Sequence, residues 1–161
     1  MRPPVFTLLT ALIAPLAAAP AAALPLDAVL MSENPAGRAF QERYGYADAV
    51  IAGDTVYLSG VVVGLAEGET DMVAAYDRAF RAIGATLARA GVGWADVVDI
   101  TSFHTDVKAQ LDAMATAKAR YVKAPFPAWT AIGVSRLLPD RGITEIKIIA
   151  HRPKMERPAR Q

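Results

Sequence analysis

From residue 70 onward the chain alternates helical and β-branched patterns in an order that few architectures satisfy. Tyr76, Phe80, Ile83 and Leu87 recur at intervals of four, three and four, the mark of a helix with one buried stripe. Thr70 or Asp71 can cap this helix, and Gly91 and Gly93 end it near Ala90. Val97 to His104 is rich in Val, Ile, Thr and Phe and reads as a strand. Asp106 then opens a second helix, roughly Ala109 to Val122, with Leu111, Met114, Ala115 and Val122 toward the core. Pro125 and Pro127 stop it. Ala128 to Val134 and Ile143 to Ala150 follow as strands, separated by LLPDRG. A strand, helix, strand succession makes a crossover that covers one face of a sheet.

Upstream, Ala47 to Gly60 gives two short β-branched runs around Gly53-Asp54, a hairpin signal. Pro25 to Tyr44 reads as a polar, irregular lead-in, and Val61 to Glu69, with two glycines, as a loop. The predicted order is therefore β-β-α-β-α-β-β. Two helices on one face leave the other face bare, which predicts an oligomer.

The length, 161 residues, fits one domain, and 53% hydrophobic with 20% charged residues supports a sizeable core. A formal net charge of +1 leaves no electrostatic footprint for nucleic acid. The chain has no cysteine, which excludes disulfides, zinc-thiolate sites and thiol nucleophiles. Residues 1–24 carry one charge, Arg2, then an apolar run and a string of alanines. That is the layout of a secretory signal, implying a periplasmic or secreted protein with no membrane contact after cleavage. A retained anchor, or a true start at Met31, are the other readings. The remaining divisions are a lead-in over 25–44, a domain over 45–152 and a basic tail over 153–161, which reads as a solvated terminus.

Few residues can carry chemistry. His104 and His151 are the only histidines and lack the companions of a metal site, so no metal or cofactor is expected. His104 reads as structural or capping, and His151 as part of the basic tail. No G-x-S-x-G elbow, G-x-G-x-x-G or P-loop spacing occurs. In ITEIKIIA the alternation sets Ile146, Ile148 and Ala150 on one face, and Ile143, Glu145 and Lys147 on the other. Glu145 is then either a solvent-facing glutamate paired across strands or a general base toward water in a cleft. Spacing alone leaves both open.

Five segments occur in an ordered set: MSENP, GYADAVIAGDTVYLSG, AGVGWADVVDIT, FPAWTAIGVSRLLP and ITEIKIIA. From Met31 to Arg152 the chain thereby resembles the Rid family, also known as RidA, YjgF or the L-PSP endoribonuclease family. The resemblance implies an α+β, chorismate-mutase-like fold, with a mixed sheet, two helices packed on one face and ligand clefts between the subunits of a homotrimer. In the deaminating members it implies hydrolysis of reactive enamines and imines, such as 2-iminobutanoate, to 2-oxo acids and ammonia. A small molecule and the chain itself are then the only partners. By position, the catalytic glutamate matches Glu145, the cleft serine Ser59 beside Gly60, and the cleft tyrosine Tyr46. The family's proline-alanine-arginine triplet reads Pro127-Ala128-Trp129, followed by Thr130 and by Ala131 at a small-residue position. A frequent asparagine of the second helix falls near Met114.

The arginine of that triplet would grip a substrate carboxylate. An indole offers one N–H and no charge. Losing about 3 kcal/mol of such binding costs on the order of a hundredfold in rate, so free 2-imino acids are not the expected substrate. Arg136, Arg38 or Arg43 could supply a displaced cation, and a Trp-lined cleft would suit an apolar, aromatic or cationic ligand. Packing against Tyr46 is the alternative role of Trp129. A non-catalytic binding trimer and an endoribonuclease are the alternative functions, the second being disfavoured by near-neutral charge and the lack of paired histidines.

Overall fold

A computed structural model describes residues 28–152. The signal-like segment and the basic tail beyond Arg152 lie outside those residues. Seven strands form one mixed sheet in the order β1-β2-β3-β7-β5-β6, with β4 also paired to β7. The strands are β1 (Val29–Leu30), β2 (Ala49–Ala52), β3 (Thr55–Leu58), β4 (Val61–Gly64), β5 (Val97–His104), β6 (Ala128–Gly133) and β7 (Gly142–His151). Only β5 and β6 run parallel, joined by the predicted crossover. The helices are α1 (Pro35–Tyr44), α2 (Met72–Arg89) and α3 (Val107–Lys118).

The stripe of α2 is fully buried at Tyr76, Phe80, Ile83 and Leu87. It packs on Val56, Leu58, Ile100, Ile146, Ile148 and Ala150, the inward residues of β3, β5 and β7. Asp71 caps α2 and Asp106 caps α3 through their side chains. In α3 the buried positions are Gln110, Met114 and Ala117; Leu111 and Ala115, expected inward, are half-buried. The helix ends at Lys118, short of Val122, which reaches the core from the following turn. Asp77 of α2 accepts hydrogen bonds from Tyr121 Oη at 2.8 Å and Arg120 Nη1 at 3.1 Å, tying that turn to α2.

Three expectations are corrected. The lead-in is not irregular and belongs to the domain: β1 pairs β2, and α1 follows. Asn34 accepts hydrogen bonds from the N–H groups of Ala36 and Gly37, and Pro35 opens the helix where its missing N–H costs nothing. The stretch after Gly60 is not all loop, since Val61–Val63 pair with Thr144–Ile146 as β4. His151 is not tail; it ends β7 opposite Thr55.

The sheet face turned away from α2 and α3 carries Tyr57, Thr101, Phe103, Glu145, Lys147 and Ile149, all at least partly exposed. No helix among the described residues is long and apolar enough to cross a membrane.

Candidate active site

The site begins as a fault in a strand. Tyr57 stands opposite Ile149 and Val61 opposite Ile146. Leu58, Ser59 and Gly60 therefore face only Ile148 and Lys147, which is a β-bulge of one residue. Val56 and Leu58 point into the core before the bulge, and Val61 and Val63 after it. The extra residue re-phases the alternation so that both ends of this run bury apolar side chains. At the bulge Ser59 and Gly60 are left facing Glu145 and the α1 side of the sheet.

Gly60 is required by contact. A Cβ there would stand 1.8 Å from Glu145 Oε1, so the carboxylate lies directly across the glycine backbone. Ser59 is anchored to the residues after α1: its N–H donates to Asp48 O at 2.9 Å and its hydroxyl to Ala47 O at 2.6 Å. The Ser59 proton is thus committed, and its oxygen remains an acceptor rather than a nucleophile.

Helix α1 supplies the aromatic side. Gly45, at φ +70°, caps it in the left-handed region and donates to Gln41 O, turning the chain so that Tyr46 faces the bulge. The Phe40 ring lies 4.5 Å from Tyr44 and edge-on to Tyr46 at 6.2 Å. The lead-in is pinned by Asp48, which accepts from Gln41 Nε2 at 2.5 Å and Arg89 Nη1 at 2.9 Å. Arg89 also donates to Met31 O.

These pieces enclose a cavity of about 1190 Å³. It is lined by Phe40, Tyr44 and Tyr46, by Arg136, Leu137, Leu138 and Pro139, and by Ser59, Gly60, Val62 and Glu145. Arg136 donates through Nε and Nη2 to Asp140 Oδ1 at 3.1 and 2.6 Å. Glu145 forms no hydrogen bond or ion pair with the described residues, and its cross-strand neighbours are Val62 and Phe103 rather than a lysine.

Of the sequence-predicted site residues, Tyr46, Ser59, Gly60 and Glu145 come together in this cavity, whereas Trp129, Thr130 and Ala131 do not line it. They sit on β6, the sheet edge beyond β5, about 10 Å from β7 by ordinary strand spacing, while the cavity opens on the β4 side. The Trp129 indole turns toward α3. Its Nε1 donates to Ser102 Oγ at 3.0 Å, and Lys118 Nζ rests 3.3 Å from the ring centroid. Within one chain it therefore packs against its own helix and not against Tyr46. Among the described residues no acidic side chain pairs with the Lys118 ammonium there, and desolvation lowers its pKa.

His104 is a core histidine. It is fully buried, with Nε2 2.9 Å from Ser102 Oγ and Nδ1 3.1 Å from Thr144 Oγ1. Thr144 in turn meets Tyr76 Oη at 2.5 Å and Gln110 Oε1 at 3.3 Å. Burial pushes the His104 pKa down, partly opposed by a hydrogen bond with Gln110. Among the described residues no group of three or more His, Asp or Glu gathers to hold a metal ion. Phe40 and Tyr44 are among the site residues that the sequence did not reveal, with Val62, Leu137, Leu138 and Pro139. The Asn34-Pro35 pair, a cap followed by a helix-opening proline, was the signal that would have found the helix of Phe40 and Tyr44.

A sheet with two helices on one face, and a bulged strand whose glycine lies under a carboxylate from the neighbouring strand, defines an α+β protein of chorismate-mutase-like fold. The family model described as Endoribonuclease L-PSP matches residues 36–152. The chain is 39% identical over 125 residues to the RutC family protein YjgH of Escherichia coli, covering 74% of this chain and 93% of that one. A solved structure of protein YjgH superposes with a TM-score of 0.65 at 35% identity, covering 80% and 97% of the two chains. A YjgF-family protein of Mycobacterium tuberculosis gives the same TM-score at 25% identity, covering 76% and 97%. The chain belongs to the RidA/YjgF family.

Proposed function

We propose that this protein is an exported hydrolase of enamine or imine compounds, acting in the cavity under Glu145 as a homotrimer. The observation that carries the reading is the Glu145 carboxylate, laid across Gly60 and unpartnered among the described residues. A water beside it is deprotonated as its oxygen adds to the imine carbon. The carbinolamine then collapses, the proton passes to the departing nitrogen, and the products are a carbonyl compound and ammonia. Ser59 Oγ and Tyr46 Oη supply an acceptor and a hydroxyl that orient the nitrogen.

Ordinary 2-imino acids are poor substrates in this reading. Trp129 stands where the resemblance places a carboxylate-gripping arginine, and its single N–H is spent on Ser102. The trimer rests on the uncovered sheet face and on the family resemblance, and export rests on the pattern of residues 1–24. Ammonia release from freshly generated imines with and without a carboxylate tests the reaction, read against Glu145→Gln. The variant is expected to lose on the order of a hundredfold or more in turnover. Equal rates for variant and wild type reduce the site to a binding module. Single-stranded RNA is expected to survive incubation at low salt; its cleavage would favour the ribonuclease reading instead. N-terminal sequencing of the secreted chain locates the cleavage.

A further inference from the structure

Resting on that reading of the cavity, we infer that its occupant is a cation with a flat apolar body: an aromatic iminium or ammonium compound with no acid group. Glu145 faces the cavity with no counter-ion among the described residues. Arg136, the one cation that the described residues supply to the lining, already has its carboxylate, since two N–H groups converge on Asp140 Oδ1. An anionic ligand would have to displace Asp140 and then lie beside Glu145. A cationic ligand meets an uncompensated charge and displaces nothing.

The aromatic wall points the same way. Phe40, Tyr44 and Tyr46 remain 54%, 59% and 42% exposed, although each presents a large ring. Their faces are electron-rich and attract cations. The wall already does so once: the Arg43 guanidinium rests 5.4 Å from the Tyr44 centroid. Among the described residues no such cation rests on Phe40 or Tyr46. In the same lining, Val62, Leu137 and Leu138 offer apolar surface for the body of the ligand. Glu145, in that same lining, then sits beside the positive C=N group, where hydrolysis requires it.

The test uses three unreactive probes of similar body on the full secreted protein: 2-phenylethylammonium, 2-phenylethanol and 3-phenylpropionate. Calorimetric dissociation constants are expected to favour the ammonium over the propionate by about tenfold or more. Glu145→Gln should erase that preference while its thermal melt stays close to wild type. Phe40→Ala, at an exposed position, should weaken the ammonium by about threefold. Tighter binding of the propionate, a preference that survives in Glu145→Gln, indifference to Phe40→Ala, or no binding by any probe overturns the inference. Ammonium binding without imine hydrolysis leaves it standing and sinks the hydrolase. Hydrolysis confined to carboxylate-bearing imines, with no ammonium binding, does the reverse.

Discussion

At the scale of the residue, Gly60 and Glu145 are one object. The missing side chain of the first is the space the second occupies, so Gly60→Ala must move the carboxylate or the strand. Misplacing a catalytic group by about 1 Å costs on the order of a hundredfold, and Gly60→Ala should lose that much turnover with the fold kept. Circular dichroism and ammonia release together check it: near-wild-type turnover in a folded Gly60→Ala protein would show that the carboxylate does not need this position. Glu145 was legible in the sequence because alternation in β7 fixes its face whatever the partner strands do. Trp129 was not. Its place in the triplet marks a position on a strand, but which neighbours that strand has is decided by sheet order. The edge position of β6 put its indole under α3 and its ring face beneath Lys118.

At the scale of the element, His104 joins four pieces of structure, since its partners lie on β5 and β7 and theirs on α2 and α3. Its pKa is lowered in the fold, so the unfolded chain binds the extra proton first. Stability is then full above the unfolded value of about 6.5 and falls as pH drops below it, by at most about 1.4 kcal/mol per pH unit. Melting temperatures from pH 7.5 to 5.5 should decline for wild type and stay flat for His104→Asn, from a lower starting point. Glu69 works in a separate window. Its hydrogen bond from Arg78 lowers the pKa to about 2, so its contribution is present above about 4.5 and goes only as pH falls from there toward 2. The lead-in makes a second case. Arg89→Ala removes its tie to Asp48 and Met31 and should cost about 1–2 kcal/mol, with faster amide exchange over residues 28–46. Exchange unchanged there would mean that β1 and α1 are held by other contacts. The sequence displayed α2, α3, β5 and β7 because each carries a long period or a clear cap. It hid β4 because a bulge breaks the alternation just ahead of it, and Gly64 and Gly68 then read as loop.

At the scale of the molecule, β7 presents two opposite chemistries on consecutive residues. Ile148 lies in the core against the helices, fully buried, while Ile149 points to the face that no described helix of the α2–α3 layer covers. A β-branched apolar residue gains little from water, and Tyr57 beside it is 44% exposed. Association through this face would bury both, at about 25 cal/mol for each Å² of apolar surface removed from solvent. The proposed trimer uses that gain. Sedimentation of the wild-type protein should therefore give three chain masses. Ile149→Asp should shift the population to smaller species while far-UV circular dichroism stays native, because the face is outside the protomer core. Ile148→Asp, one residue away, should instead abolish folding, since it sets an unpaired charge among Val56, Ile100 and the α2 stripe. If Ile149→Asp leaves the mass unchanged, the open sheet face is not where the subunits meet, and the exposed side of β7 needs another explanation.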